Sequence, residues 1–229
     1  MEMRYQKYME SFNNWFSQYK NQSDGRYLTF RKALEILFRN QGKVIVETGT
    51  QRQEDDWGAG MSTTIFGKYC SLTGSKLYTV DNDARNLFTS KALTEEFKDN
   101  IKYVLSDSIK FLKEFDGKID LLYLDSFDYP YGVITDYYGG KDDLDSAVKK
   151  SNEATEEEIL ERFGENLAPC QEHQLNELKM AYGKLSDNAV ILLDDAHLPA
   201  QGKVRLSRRF LQEEGWEEVL AYQQVLFTR

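Results

Sequence analysis

Ile119-Asp120-Leu121-Leu122-Tyr123-Leu124-Asp125 and Ala189-Val190-Ile191-Leu192-Leu193-Asp194-Asp195 decide how this chain folds. Each is a continuous apolar run of strand length that ends on aspartate, and a strand apolar on both faces belongs inside a sheet covered on both sides. Outward from these two, Val44–Glu47, Leu77–Asp81 and Ile101–Leu105 are further short apolar runs. Between the runs lie stretches of helical pattern: Ser62–Leu72, Ala84–Phe97, Ser108–Phe115, Gln171–Leu185 and Lys203–Glu213. That alternation predicts an α/β fold with a five-stranded parallel core and helices on both faces. Trp216–Tyr222 and Gln224–Thr228 are joined too tightly for a helix and read as a C-terminal antiparallel hairpin. Residues 1–40 form an N-terminal helical addition. Tyr5, Tyr8, Met9, Phe12, Trp15, Phe16 and Tyr19 fall on one stripe; after turn residues Asn21–Gly25, Phe30, Leu34, Leu37 and Phe38 mark a second helix. Such a stripe packs on a core, and its aromatic richness also permits a contact between copies in a homo-oligomer.

The chain of 229 residues reads as a single domain over 1–229, large enough to bury a full core. Two cysteines, Cys70 and Cys170, are too few for a disulfide framework and point to a reducing, cytoplasmic setting. The absence of a long apolar run argues against a membrane span, and the first residues do not read as a signal peptide. A net charge of −9, with Lys203, Arg205, Arg208 and Arg209 as the one basic cluster, argues against nucleic acid as a partner. Residues 136–165 hold ten acids and four bases, −6 of that −9, and read as a solvated segment, partly helical from Thr155 and too polar for a core of its own. This acidic run belongs to a lid-like insertion over 129–170, whose near end carries Tyr129, Tyr131, Tyr137 and Tyr138. Those tyrosines suit a hydroxylated ring, so the segment from Tyr129 to Gly140 is expected to help form an acceptor pocket.

Ligands of open parallel sheets bind beyond the carboxyl ends of the strands, near the reversal of strand order. In this chain those ends are acidic: Glu47, Asp81, Asp107, Asp125, and Asp194 with Asp195. A terminal aspartate is commonly a helix N-cap, as expected of Asp83 and of Asp107 or Ser108. Carboxylates after all five strands are harder to read as caps. The long stretch from Glu47 through Gly49, Thr50, Gln51–Trp57, Gly58 and Gly60 to Ser62 reads as a ligand loop rather than a plain turn. It is not the dinucleotide fingerprint. Asp81 stands where an acid accepts ribose hydroxyls. Asp125, Asp194 and Asp195 lie within reach of one shared cation if their strands are neighbours, and all-oxygen ligands suit Mg²⁺ or Ca²⁺; hydrogen bonding to nearby loops is the plainer alternative. His197, two residues after the aspartate pair, is a candidate general base, whereas His173 reads as structural.

The ordered set VIVETGT…GAGMST at 44–63, LYTVDND at 77–83, IDLLYLDSFD at 119–128 and AVILLDDAH at 189–197 resembles the class I, Rossmann-like S-adenosylmethionine-dependent methyltransferases. Among them it is most similar to metal-dependent O-methyltransferases of sugars and natural products, such as the macrolide-sugar type. The resemblance covers about residues 28–229. It implies that Glu47, Gly49 and Ser62, with Thr50 beside them, hold the methionine end of the cofactor. It places Asp81 on the ribose and Asp107 and Ser108 beside the adenine. It implies Mg²⁺ on Asp125, Asp194 and Asp195, His197 as base, and a small-molecule hydroxyl as acceptor. Two positions depart from the pattern. The first loop is longer by roughly Gln51–Trp57, and Asp128 stands where catechol-type relatives carry a lysine, which makes Asp128 a rival base. An NAD(P)-dependent oxidoreductase and a non-catalytic cofactor-binding module are the alternative readings.

Overall fold

A computed structural model describes residues 2–21, 25–54 and 61–229, with side chains from residue 7 onward. Trp57, Gly58 and Gly60 of the expected ligand loop, residues 22–24 of the first turn and the Tyr5 side chain lie outside the described set.

The chain begins with helices α1 (Glu2–Phe16) and α2 (Arg26–Arg39), and the core then alternates strand and helix. The alternating elements are β1 (Val44–Thr48), α3 (Ser62–Thr73), β2 (Lys76–Asp81), α4 (Ala84–Leu93), β3 (Ile101–Leu105), α5 (Ser108–Glu114) and β4 (Ile119–Leu124). Helices α6 (Tyr131–Tyr137), α7 (Leu144–Glu153) and α8 (Glu156–Tyr182) follow. β5 (Leu185–Leu193), α9 (Arg205–Glu213), β6 (Glu217–Ala221) and β7 (Val225–Thr228) close the chain. Among the described residues seven strands form one sheet in the order β3-β2-β1-β4-β5-β7-β6. β1 to β5 pair in parallel, and β7 runs antiparallel to both β5 and β6. The sheet is therefore mostly parallel with a C-terminal antiparallel hairpin, as the alternation of runs predicts.

Packing follows from the composition of the runs. Leu121–Leu124 and Val190–Leu193 are fully buried, with one side chain in two facing α2 and α3 and the next facing α8 and α9. Phe30 of α2, Phe66 of α3 and Tyr123 of β4 meet ring to ring at 5.5 Å, tying the N-terminal addition to the sheet. The α1 stripe behaves as an amphipathic helix: Met9, Phe12 and Phe16 are buried, and Phe12 meets Tyr69 edge-on. No described helix is long and apolar enough to cross a membrane. Cys70 and Cys170 are both buried and free.

Three expected boundaries move. The helix expected at Gln171–Leu185 is continuous with the helical stretch expected from Thr155, and the single helix starts at Glu156, where Thr155 and Glu158 cap each other's backbone N–H groups in a reciprocal capping box. The strand expected at Ala189 starts at Leu185, and the helix expected at Lys203 starts at Arg205, which leaves Lys203 in the preceding loop. The acidic insertion is also not too polar for a core. Ile159, Phe163, Leu167 and Cys170 line one face of α8 and bury against Tyr129, Ile134 and Ala200, while the acids occupy the other faces.

Candidate active site

Parallel register aligns the strand ends. Thr48 pairs with Val80 and Leu124, and Leu124 pairs with Leu193. The residues that follow therefore stand side by side along one edge of the sheet: Gly49, Asp81, Asp125 and Asp194. Between β1 and β4 the strand order reverses, and a cavity opens at that reversal.

Gly49 forms the floor of the cavity. Its φ is +81°, and a Cβ would stand 2.7 Å from the Asp125 carbonyl oxygen, so only glycine lets β1 turn this close to β4. Thr50 and Ser62 also line the cavity, and the Thr50 N–H points to Asp81 Oδ2 at 3.4 Å. Asp81 is held further by the Asp83 N–H at 2.8 Å and by Asn86 Nδ2 at 3.3 Å from each oxygen. Asp83 caps α4, as expected, with the Arg85 N–H at 2.8 Å. Asp107 lines the cavity and also caps α5, accepting from the Lys110 N–H at 2.8 Å. Ser108 is buried, its hydroxyl 3.2 Å from His173 Nε2.

Glu47, two residues before Gly49, is fully buried and does not line the cavity. Thr63 donates to its Oε2 at 2.8 Å, while Oε1 has no hydrogen-bond partner. Burial pushes its carboxyl up to about 7, although the hydroxyls of Ser62, Thr79 and Thr63 pull the other way.

Asp125, Asp194 and Asp195 converge as the spacing suggests, but they converge on side chains of the protein. Lys203 Nζ sits 2.9 Å from Asp125 Oδ1 and 3.0 Å from Asp195 Oδ2, with its side chain 2% exposed. Arg26, from the first turn of α2, reaches Asp194 Oδ1 at 2.8 Å and Asp195 Oδ1 at 3.3 Å. The Tyr123 hydroxyl donates to Asp194 and lies 3.1 Å from Asp125 Oδ2, and Gln224 Nε2 donates to Asp194 Oδ2 at 2.9 Å. The Asp195 N–H closes the set on Asp194 Oδ1 at 2.6 Å. Burial disfavours charge on Asp194, yet Arg26 and the Tyr123 hydroxyl hold its carboxyl below the usual range. Burial pushes the Asp125 carboxyl up against the pull of Lys203, and Asp194 and Asp195 add to the push.

This donor set does not fit the divalent ion that the sequence suggests. Both oxygens of Asp194 are used, and the space between Asp125 and Asp195 is filled by an ammonium group. No group of three His, Cys, Asp or Glu among the described residues is arranged to hold a metal. The sequence shows the carboxylates but not that Arg26 comes in from α2, nor that the loop after β5 turns Lys203 back onto Asp195 and Asp125.

Of the two candidate bases, Asp128 lines the cavity and His197 does not. Asp128 is exposed, with Arg52 Nη1 at 3.5 Å. His197 is also exposed as a residue; partial burial and the nearby Arg26 charge lower its pKa, against Asp195 and Asp194. His173, read as structural, stands at the cavity. Its Nε2 lies 3.1 Å from Ser126 Oγ and 3.5 Å from Glu177 Oε1. Burial works against its protonation, but Glu177 raises its pKa on balance. None of the segment from Tyr129 to Gly140 lines this cavity. Tyr129 is instead buried, its hydroxyl donating to the Pro199 carbonyl at 2.8 Å.

Comparison with known proteins agrees with this fold. A methyltransferase-domain family profile matches residues 56–141, less than half of the chain. No curated protein matches the sequence. Among solved structures, the chain is similar to a Podospora anserina methyltransferase bound to S-adenosylhomocysteine, at 13% identity and TM-score 0.54, over 97% of this chain and 87% of that one. It is similar to a Bacillus cereus O-methyltransferase in complex with S-adenosylhomocysteine, at 12% identity and TM-score 0.52, over 97% and 91%. A Geobacter sulfurreducens methyltransferase matches at 15% identity and TM-score 0.51, over 88% and 78%. At such identities the likeness is one of fold, and the fold is that of the class I methyltransferases.

Proposed function

We propose that this chain transfers a methyl group from S-adenosylmethionine to a hydroxyl of a small molecule. The observation that carries the reading is the cavity at the β1/β4 reversal. It is lined by Gly49, a well-anchored Asp81, the Asp107–Ser108 turn, Asp125 and Asp128.

These residues fit the cofactor. Asp81 is held firmly by the Asp83 N–H, and its longer contacts, from the Thr50 N–H at 3.4 Å and Asn86 at 3.3 Å, are the ones that ribose hydroxyls would displace. Gly49 lets β1 turn tightly against β4 and lines the cavity where a methionine chain would pass. Glu47 Oε1, unpartnered two residues before that glycine, is an acceptor suited to an ammonium group. When bound, S-adenosylmethionine supplies an electrophilic methyl on a sulfonium, which leaves as a neutral thioether once the methyl has passed to oxygen. The protein must hold the acceptor oxygen in line with that methyl and take its proton. Alignment is the larger contribution, because it removes the entropic cost of an encounter. Asp128 is the better placed of the two candidate bases, at the cavity wall next to Phe127, whose own φ of +60° bends the chain there. The likeness to an O-methyltransferase supports oxygen as the acceptor atom. No step passes through a divalent ion, since the carboxylates that would bind it are taken.

Calorimetric titration with S-adenosylhomocysteine and with NAD tests the reading. We expect binding of the former, weakened in Asp81→Ala by about 1–3 kcal/mol. Binding of NAD alone would refute it. Transfer of labelled methyl groups across a library of hydroxyl compounds then identifies the acceptor.

A further inference from the structure

We propose that Lys203 is the built-in cation of this site, taking the position between Asp125 and Asp195 that a divalent metal would otherwise occupy. The reading of methyl transfer matters only for what this cation does to the acceptor; its place in the carboxylate cluster stands apart from that reading.

The geometry is that of a clamp. One ammonium bridges Asp125 Oδ1 and Asp195 Oδ2 at 2.9 and 3.0 Å, and it lies almost wholly out of water. Of the remaining oxygens, Asp195 Oδ1 accepts from the Arg26 guanidinium, and Asp125 Oδ2 shares the single Tyr123 hydroxyl proton with Asp194. Mg²⁺ needs oxygens at about 2.0–2.1 Å in an octahedron and keeps several waters. Here it would have to expel a buried lysine or face its charge at close range. Counting formal charges, three carboxylates meet two fixed cations, Lys203 and Arg26. That near-balance removes the repulsion that would otherwise call for a metal.

The loop that delivers Lys203 is built for the purpose. Asp195, Ala200, Gln201 and Gly202 all have left-handed φ values, between +53° and +63°. A Cβ at Gly202 would stand 1.7 Å from the Asp195 carbonyl oxygen, so the chain folds back directly onto the aspartate it must serve. Gln171 Nε2 donates to the Gly202 carbonyl at 2.9 Å, and Tyr129 donates to Pro199, pinning the fold-back from α8 and from the segment after β4. Non-glycine residues in this region are strained and persist only where their surroundings over-determine them. A buried ion pair is also a poor way to gain stability alone, since apolar residues of similar volume often do as well or better. What this pair does is fix the carboxylate of Asp125, which lines the cavity. Lys203 does not line it, and so acts through Asp125 as a positioning residue.

Titration of Mn²⁺ into the full-length protein, read by loss of the free-ion signal in electron paramagnetic resonance, tests the proposal. Wild type should leave Mn²⁺ free, as should Lys203→Arg. Lys203→Met, with two carboxylates released, should gain a saturable site that disappears again in Lys203→Met/Asp125→Asn. Wild type that binds Mn²⁺ stoichiometrically and loses it in Asp125→Asn would overturn the proposal. So would a folded Lys203→Met that gains no site. Should Lys203→Met fail to fold, Lys203→Gln, which keeps a donor, replaces it, and the wild-type titration decides independently. Absence of S-adenosylhomocysteine binding would refute the methyl-transfer reading and leave the Mn²⁺ result untouched.

Discussion

Replacing Glu47 by glutamine removes a charge that the folded state tolerates poorly. Its carboxyl is fully buried and rises from the ordinary 4.5 to about 7. An acid whose pKa is higher in the folded state binds its proton more tightly there. Stability is therefore greatest below 4.5 and declines as pH rises to about 7, after which the loss is complete. Integrated over that window, the loss is about 3 kcal/mol. Glutamine keeps the shape and an acceptor for Thr63 without the charge. The stability of Glu47→Gln relative to wild type should thus improve by about 3 kcal/mol between pH 4.5 and pH 8, or roughly 6–12 °C in Tm for a chain of this size. Urea unfolding of both proteins across that range measures it, and the difference curve matters because other groups titrate in both. A flat difference curve would refute the reasoning, since Glu47 would then be ionised at no cost. If Glu47 also receives the cofactor's ammonium group, the stabilised variant should bind S-adenosylmethionine more weakly, a stability–function trade-off.

Two further outcomes can be stated. Arg26→Met leaves Asp194 charged, buried and short of its guanidinium; it should cost about 3–5 kcal/mol in urea unfolding at pH 7, with much of the loss recovered in Arg26→Met/Asp194→Asn. For the base, Asp128→Ala should lower the turnover rate by about 10²–10⁴-fold once an acceptor is known; a mild Asp128→Ala beside a crippled His197→Ala would reverse the assignment.

The parallel core was legible because strands buried on both faces carry their signature in consecutive residues, as in Leu121–Leu124. The row of strand-end acids was legible for the same reason: each lies within two residues of its strand's end, although Glu47 falls inside β1 and Asp81 closes β2. What escaped were the partners of those acids. Lys203 lies 78 residues from Asp125, and Arg26 lies 168 residues from Asp194. No periodicity links such positions; only the strand order and the fold-back after β5 do. Lys203 was visible within a basic cluster, and the neighbouring Gly202 was a signal that its backbone turns sharply. The insertion misled for a different reason. Composition averages over the faces of a helix, so ten acids concealed the buried row Ile159, Phe163, Leu167 and Cys170. His173 reads as structural from the sequence because one histidine on a helix carries no spacing to place it at the cavity.

The continuity of α8 bears on how the insertion can move. One 27-residue helix carries the insertion's core at its start, His173 and Glu177 beside the cavity, and Leu178 and Ala181 in the main core at its end. A flap on two loose tethers swings freely, but here one attachment is a stiff shaft planted in the sheet. Motion of Phe163 is thereby mechanically linked to the pose of His173. The weak point of the shaft is Pro169, between the buried Leu167 and Cys170 and about one turn before His173; its missing N–H leaves the Glu165 carbonyl without its helical partner. Bending there would let an arriving acceptor be felt at the cavity wall, through torque along a single element.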